Sequence, residues 1–147
     1  MGIANKAVPL ALLGLAAAST AAEEPLTAYR VENGAIVAPL AARGDPGRGK
    51  EIVLSRESNC VLCHTVPDSG LQTMGNLGPP LAGAAARLSE GQLRLRVVDS
   101  LRLNPDTVMP SYYRVDGLTA VAAQYRGKPV LTAQQVEDVI AYLLTLR

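Results

Sequence analysis

The most regular alternation of apolar and polar residues lies near the C-terminal end of the sequence and predicts an α-helix. Thr132 and Gln135 have the spacing of a capping box at a helix start. The apolar residues that follow recur at the spacing of one helix face: Val136, Val139, Ile140, Leu143 and Leu144. We therefore expect a helix that begins just after Thr132 and packs one face against the core.

A second helix is predicted from Asp45 towards Arg56. Asp45 is a suitable N-cap residue, and Pro46 fits the first helical position because it has no N–H to leave unpaired. Gly49 disfavours the helix by roughly 1 kcal/mol relative to alanine, so we expect another element to cross closely there. The alternative is that this glycine is simply tolerated on an exposed face.

A third helix is predicted after Ser89, which forms a second capping box with Gln92. The pattern predicts that the helix ends at Asn104–Pro105, since proline disfavours helical backbone in the residue before it. Its apolar stripe comprises Leu93, Val97, Val98 and Leu101. Three arginines fall outside this stripe and are expected on a solvated face, with a docking patch as the alternative: Arg94, Arg96 and Arg102.

Two regions lack a regular pattern. Residues 23–43 contain Pro25, Gly34 and Pro39 and predict an N-terminal extension, lying on the surface or on a partner, or else a loosely ordered leader. Residues 112–130 are longer than a simple connector and include an Ala/Val-rich stretch that predicts a short helical piece. Since the regular elements are all helical, the expected fold class is all-α, with three or more helices.

The first 22 residues predict a secretory signal peptide. Lys6 supplies positive charge, and an uncharged run follows from Ala7 to the small residues Ala21–Ala22. That run is 16 residues long, short of the roughly 20 that span a bilayer. An uncleaved anchor is the alternative. No second apolar run approaches this length, so we expect no membrane span after processing.

Cys60 and Cys63, followed at once by His64, form the motif of covalent haem attachment. One helical turn brings both thiols to one face, where each can add to a haem vinyl group, and His64 can then donate an imidazole nitrogen to the iron. Structural zinc usually takes four Cys or His ligands, and the chain has two cysteines and one histidine. A redox dithiol would leave His64 unexplained. We therefore predict one covalently bound haem c.

Composition and charge fit this prediction. At 147 residues the chain is long enough for one domain, alone or with an extension. Apolar residues make up 48% of it, yet it contains no Phe or Trp, so the predicted core is aliphatic and suits a bound porphyrin. Loss of the leader removes one of 14 basic residues, Lys6, and leaves 13 basic against 13 acidic. This balance gives no indication of nucleic acid binding.

The iron also needs a sixth ligand or an open position. Apart from the initiator, Met74 and Met109 are the candidate thioethers. Ten residues separate Met74 from His64, enough for about 35 Å of extended chain, but the chain must then return towards His64. Met109 comes 45 residues after His64, with a whole helix between them. We expect Met109 as sixth ligand, with Met74 and an open site as alternatives. A His/Met pair favours electron transfer.

The segment Leu77–Leu81 is the candidate support for His64. Pro79 and Pro80 remove two backbone donors and hold an extended path, which leaves bare carbonyl groups to face a neighbour. A carbonyl that accepts the second N–H of His64 would fix its tautomer and raise its basicity towards the iron.

These motifs resemble class I cytochromes c. More narrowly, residues 104–111, 125–131 and 132–144 resemble the SoxX family, the mono-haem subunits of the SoxAX cytochromes of sulfur-oxidising bacteria. The resemblance covers about residues 45–147, and the C-terminal third carries most of it. It implies a class I cytochrome c fold, with helices wrapped around one covalently attached haem. The expected organisation is a signal peptide at 1–22, an extension at 23–43 and the cytochrome domain at 44–147.

The resemblance also assigns roles to residues. It implies thioether bonds at Cys60 and Cys63, axial ligation by His64 and Met109, and a hydrogen bond from the histidine to the carbonyl of Pro79. No catalytic residue is implied, because no free cysteine or second histidine remains.

The implied function is periplasmic electron transfer. In the SoxAX cytochromes a SoxA subunit joins thiosulfate oxidatively to a cysteine of the SoxYZ carrier, and SoxX takes the electrons and passes them to a soluble cytochrome c. The resemblance thus implies a SoxA-like partner and the non-catalytic subunit of the enzyme. Two alternatives stay open: a free soluble electron shuttle, and a gas-binding or peroxidase-like haem protein with an open sixth site.

Overall fold

The structure is a computed structural model that describes residues 25–147. It contains four α-helices: α1 (Pro46–Leu54), α2 (Ala84–Arg87), α3 (Glu90–Val98) and α4 (Ala133–Leu143). Single 3₁₀ turns lie at Cys60–Leu62, Ser100–Arg102 and Ala123–Tyr125. In this part of the chain the only β-type pairing is one isolated bridge between Glu32 and Ala35. The predicted signal peptide, 1–22, lies outside the described residues.

The main contact of the fold is the crossing of α1 and α4 at Gly49. A Cβ atom at this position would overlap the carbonyl oxygen of Asp138 and lie 2.8 Å from the Cβ of Tyr142. The predicted close crossing is therefore confirmed. Beside it, Arg48 forms two hydrogen bonds of 2.8 Å with the carboxylate of Asp138. Backbone contact and ion pair together fix the register of the two helices.

All three predicted helix starts are confirmed. The Asp45 side chain accepts a 2.8 Å hydrogen bond from the amide of Arg48 at the start of α1. Ser89 begins α3 and Thr132 begins α4, each with both hydrogen bonds of its capping box. These signals are local, so sequence alone was enough to find them.

The predicted end of the third helix is wrong. The helix α3 ends at Val98 instead of continuing to Asn104–Pro105, because Asp99 leaves the helical region with φ −148° and ψ 72°. A single 3₁₀ turn, Ser100–Arg102, follows. The side chain of Asp99 is buried and lies within hydrogen-bonding distance of Tyr29, Ser111 and Arg114.

The expectation that Arg94 lies on a solvated face is also wrong. Its side chain is 1% exposed and lies between α3 and α4, where it pairs with both carboxylate oxygens of Glu137 at 2.8 and 2.9 Å. It also binds Glu90 at 2.6 Å and the carbonyl of Ile36 at 2.8 Å. The guanidinium therefore joins both helices to the segment before α1.

That segment is part of the fold and not a loosely ordered leader. Ile36 is fully buried, and its amide donates to the carbonyl of Gly91 in α3 at 2.9 Å. Leu40 is 5% exposed, and its amide donates to Glu137 at 2.9 Å. Residues 25–43 thus contribute side chains to the same core as the helices.

Within residues 25–147, no helix combines the length and the apolar character that a membrane crossing requires.

We predict that Arg94→Met lowers the free energy of unfolding by about 3 kcal/mol, because it leaves the buried carboxylate of Glu137 without its counter-charge. Methionine keeps most of the apolar volume, so the loss reports the ion pair. The half-buried Arg96 binds only a carbonyl of its own helix, and Arg96→Met should cost less than about 1 kcal/mol. Denaturant unfolding measures both, and equal losses would contradict the assignment.

Candidate haem-binding site

The two cysteines lie on a tight turn that begins a few residues after α1 ends. The amide of Cys63 donates to the carbonyl of Cys60 at 3.1 Å, and the amide of His64 donates to the same carbonyl at 2.9 Å. Asn59 begins the turn in the left-handed region with φ 53°. The predicted single helical turn is thus present, with its first residues in 3₁₀ geometry.

The imidazole of His64 is oriented by the carbonyl of Pro79. The distance from Nδ1 to the carbonyl oxygen is 2.7 Å. A carbonyl can only accept, so Nδ1 carries the hydrogen, and the lone pair of the neutral ring lies on Nε2. A histidine in this tautomer is ready to ligate a metal through Nε2, and its hydrogen-bonded partner raises its basicity.

The chain after the motif folds back onto the turn, as the sequence predicted. The amide of Gly78 donates to the carbonyl of Cys63 at 2.8 Å, and the amide of Leu81 donates to the carbonyl of Thr65 at 2.9 Å. These two bonds lie on either side of Pro79 and hold its carbonyl beside His64.

Gly78 is needed for space and not for a special backbone conformation. Its φ lies outside the left-handed region, but a Cβ atom there would lie 2.7 Å from Nδ1 and 2.9 Å from Nε2 of His64. The backbone of Gly78 therefore lies directly against the imidazole ring, which any side chain would displace.

The turn forms one wall of a largely apolar cavity between the helices. Side chains from α1, α3, α4 and the loops that follow α1 and α3 line it: Val53, Cys60, His64, Leu81, Val97, Met109, Tyr112, Leu131, Val139 and Leu143. A porphyrin needs an apolar slot, a histidine with a free nitrogen and two nearby thiols. Cys60 and His64 line the cavity, and Cys63 lies on the same turn, so these residues fit that group.

The structure separates the two candidate methionines. Met109 lines the cavity together with Cys60 and His64. Met74 does not line it, and its sulfur is close to the amide of Val66 at 3.2 Å and the hydroxyl of Ser69 at 3.5 Å. Met74 thus has local partners away from the site.

The environment of Cys60 differs from that of a redox-active thiol. Burial raises the pKa of its thiol above the ordinary value, whereas reactive dithiols depend on a lowered pKa. The described residues also contain no cluster of three or more His, Cys, Asp or Glu side chains that could hold a metal ion. Neither alternative for the motif has support in this geometry.

Tyr112 is a further residue of the site, beyond those assigned from the sequence motifs. It lines the cavity, and its hydroxyl donates to the carbonyl of Ser58 at 2.6 Å. Burial, with Cys60 nearby, raises the pKa of Tyr112, so the phenol stays protonated and keeps this bond. Tyr113 is buried as well, next to Tyr29. Packing therefore explains this tyrosine pair. In the same stretch the half-buried Tyr125 and the exposed Arg126 are candidates for an interface with a partner, since Tyr and Arg are typical interface residues.

Comparison with known proteins identifies the class. The cytochrome c family model matches residues 47–147. A cytochrome c-553-like protein of Synechocystis sp. is 30% identical over 107 residues, which cover 73% of this chain and 74% of that protein. The chain belongs to the cytochrome c family and is an electron-transfer protein with one covalently bound haem c.

Within this family the match is more specific. The crystal structure of SoxXA from P. pantotrophus contains a chain that is 37% identical, with a TM-score of 0.73, over 80% of this chain and 93% of that one. The chain is thus similar to SoxX-type class I cytochromes c. The family resemblance, the all-α cytochrome fold and the haem c predicted from the sequence are confirmed.

We predict that Gly78→Ala displaces the His64 ring and weakens its hydrogen bond to Pro79. The yield of haem-loaded protein should fall, because the ring loses its fixed orientation. The reduction potential should rise, because a histidine with a weaker hydrogen bond is less basic and stabilises ferric iron less. Gly47→Ala is the control, since a Cβ there meets only the side chain of Asp45, at 3.1 Å. Spectra and potentiometry compare the two variants. A normal potential in Gly78→Ala would show that the close contact with the ring has no effect on it.

Proposed function

We propose that this protein is the electron-transfer subunit of a SoxXA-type cytochrome that oxidises thiosulfate. The observation that carries the proposal is the similarity to a chain of SoxXA, at 37% identity over 93% of that chain. The cavity adds a second argument, because His64 and Met109 both line it.

In this proposal Cys60 and Cys63 form the two thioether bonds, and His64 and Met109 are the axial ligands. The hydrogen bond of 2.7 Å between His64 and Pro79 holds the imidazole with Nε2 available. Bound haem c supplies a one-electron iron couple. The apolar lining of the cavity limits water around that couple, and a methionine ligand raises its potential. Both features suit a protein that accepts electrons.

Two methionines compete for the sixth position, and Met109 is favoured because it lines the cavity. A methionine ligand leaves no open site for a small molecule, which argues against a gas-binding or peroxidase-like role. It also argues for an electron-transfer subunit without a catalytic residue of its own. With both thiols in thioether bonds, the chain has no cysteine left to act on a sulfur substrate.

The thiosulfate chemistry is therefore assigned to a SoxA-like partner. That partner would join thiosulfate to a cysteine of a SoxYZ carrier and release electrons to the haem held by this chain. A soluble cytochrome c would then take the electrons onward. Export to the periplasm belongs to the same proposal and rests on the predicted signal peptide, 1–22, which lies outside the described residues.

We predict that Met109→Ala removes the methionine-to-iron charge-transfer band of the ferric protein, lowers its potential and lets added imidazole bind. The physical reason is the loss of the thioether ligand that stabilises the reduced iron. Met74→Ala is the matched control, since it deletes a thioether that packs outside the cavity, and should do none of these. Optical spectra and potentiometry decide. The opposite result for the two variants would transfer the ligand role to Met74.

The proposed contact with the partner is tested by changing Tyr125 and Arg126. Replacing them with Ala and Glu together should weaken binding to a SoxA-like subunit by about 2 kcal/mol, since aromatic and Arg anchors are common interface hot spots. The haem spectrum should stay unchanged, because neither residue lines the cavity. Arg43→Glu, an exposed site with the same change of charge, is the control.

Calorimetry or co-elution with the purified subunit measures the loss. Unaltered binding in the double variant would exclude this stretch from the interface, and a changed haem spectrum would give it a packing role instead.

A further inference from the structure

Met109 lies on an irregular loop, so something other than a helix must hold its backbone in place. Two side chains do so. The hydroxyl of Ser100 donates to the carbonyl of Met109 at 2.6 Å, and the hydroxyl of Thr107 accepts from the amide of Met109 at 3.2 Å. Thr107 belongs to the same loop. Ser100, only 5% exposed, lies in the 3₁₀ turn after α3 and is therefore the link to the helical frame.

The direction of the Ser100 bond is fixed by its partner. A carbonyl can only accept, so Ser100 uses its one hydrogen on Met109. Its oxygen then remains as an acceptor for the hydroxyl of Ser111, 3.4 Å away. Ser111 also has a single hydrogen, so its hydroxyl donates either to that oxygen or to Oδ1 of Asp99, which also lies 3.4 Å away. The loop is thus held at both ends, because Ser111 follows Met109 by two positions.

Asp99 anchors this arrangement. Its side chain is 4% exposed, and its charge is balanced by Arg114, whose Nη1 lies 3.2 Å from Oδ1. The hydroxyl of Tyr29, from the N-terminal extension, donates to Oδ2 at 3.3 Å. We call Asp99, Ser100 and Ser111 the Asp99 cluster. It joins α3, the Met109 loop and the extension within a buried polar network.

We propose that the Asp99 cluster positions the Met109 loop, with Ser100 as the positioning residue that keeps the thioether against the iron. This inference rests on the proposed role of Met109 as sixth ligand. A methionine is a weak ligand that added imidazole can replace, so its occupancy depends on how firmly its backbone is held. The Ser100 bond ties that backbone to the end of α3, the helix whose Val97 lines the same cavity.

The test is Ser100→Ala in the haem-loaded protein. Loss of the hydroxyl should raise the affinity of the ferric protein for added imidazole by roughly fivefold, the factor that corresponds to one net hydrogen bond of this kind. The potential and the methionine charge-transfer band should decrease in parallel. Ser111→Ala keeps the bond from Ser100 to Met109, and it should shift the same three quantities by a smaller amount.

Thr145→Ala is the control, because it also removes a hydroxyl that donates to a backbone carbonyl, here of Tyr142 at 2.6 Å, and Thr145 does not line the cavity. It should lower thermal stability and leave imidazole affinity unchanged. Hydrogen exchange adds a readout that does not involve iron. The amides of the Met109 loop should exchange faster in Ser100→Ala than in the control variant.

The outcomes separate the two proposals. If Met109→Ala opens the iron to imidazole but Ser100→Ala does not, the positioning role is overturned and the ligand assignment stands. If Met109→Ala leaves the spectrum unaltered, the ligand assignment fails and the positioning role fails with it. Equal effects of Ser100→Ala and Thr145→Ala on imidazole affinity would reduce the cluster to ordinary stabilisation of the fold.

Discussion

The close approach of α1 and α4 at Gly49 is the contact on which the rest of the structure depends. Because α1 lies against the backbone of α4, Val53 from one helix and Val139 and Leu143 from the other line the same apolar cavity. The cysteine turn follows α1 after a few residues. The crossing therefore decides which way the haem motif faces, and the intervening loops close the cavity around it.

Two buried or partly buried ion pairs join α3 to its neighbours. Arg94 and Glu137 lie between α3 and α4, and Asp99 lies at the end of α3 with Arg114. A buried ion pair gives little net stability, because removing both charges from water costs nearly as much as their attraction returns. Its role here is to select one packing arrangement of the helices over others. Each pair also binds the N-terminal extension, through the carbonyl of Ile36 and the hydroxyl of Tyr29.

The sequence predicted what depends on neighbouring residues and missed what depends on distant ones. The capping boxes and the return of the chain to His64 rest on short spacings, and the structure contains them all. Arg94 gave no such signal, because its partners Glu137 and Ile36 are 43 and 58 positions away. The hydrogen bond of Tyr112 gave no local signal either, since its acceptor, on Ser58, is 54 positions away.

The extension also constrains the order in which the chain can fold. The amide of Leu40 donates to Glu137, 97 positions later, so a segment that precedes all four described helices has its partner in α4. Contacts of such long separation form late, because a large loop must close first. Until α4 is available the chain cannot complete its core, and the two cysteines are not yet enclosed. The topology thus makes closure of the cavity depend on α4, which supplies Val139 and Leu143 to its lining.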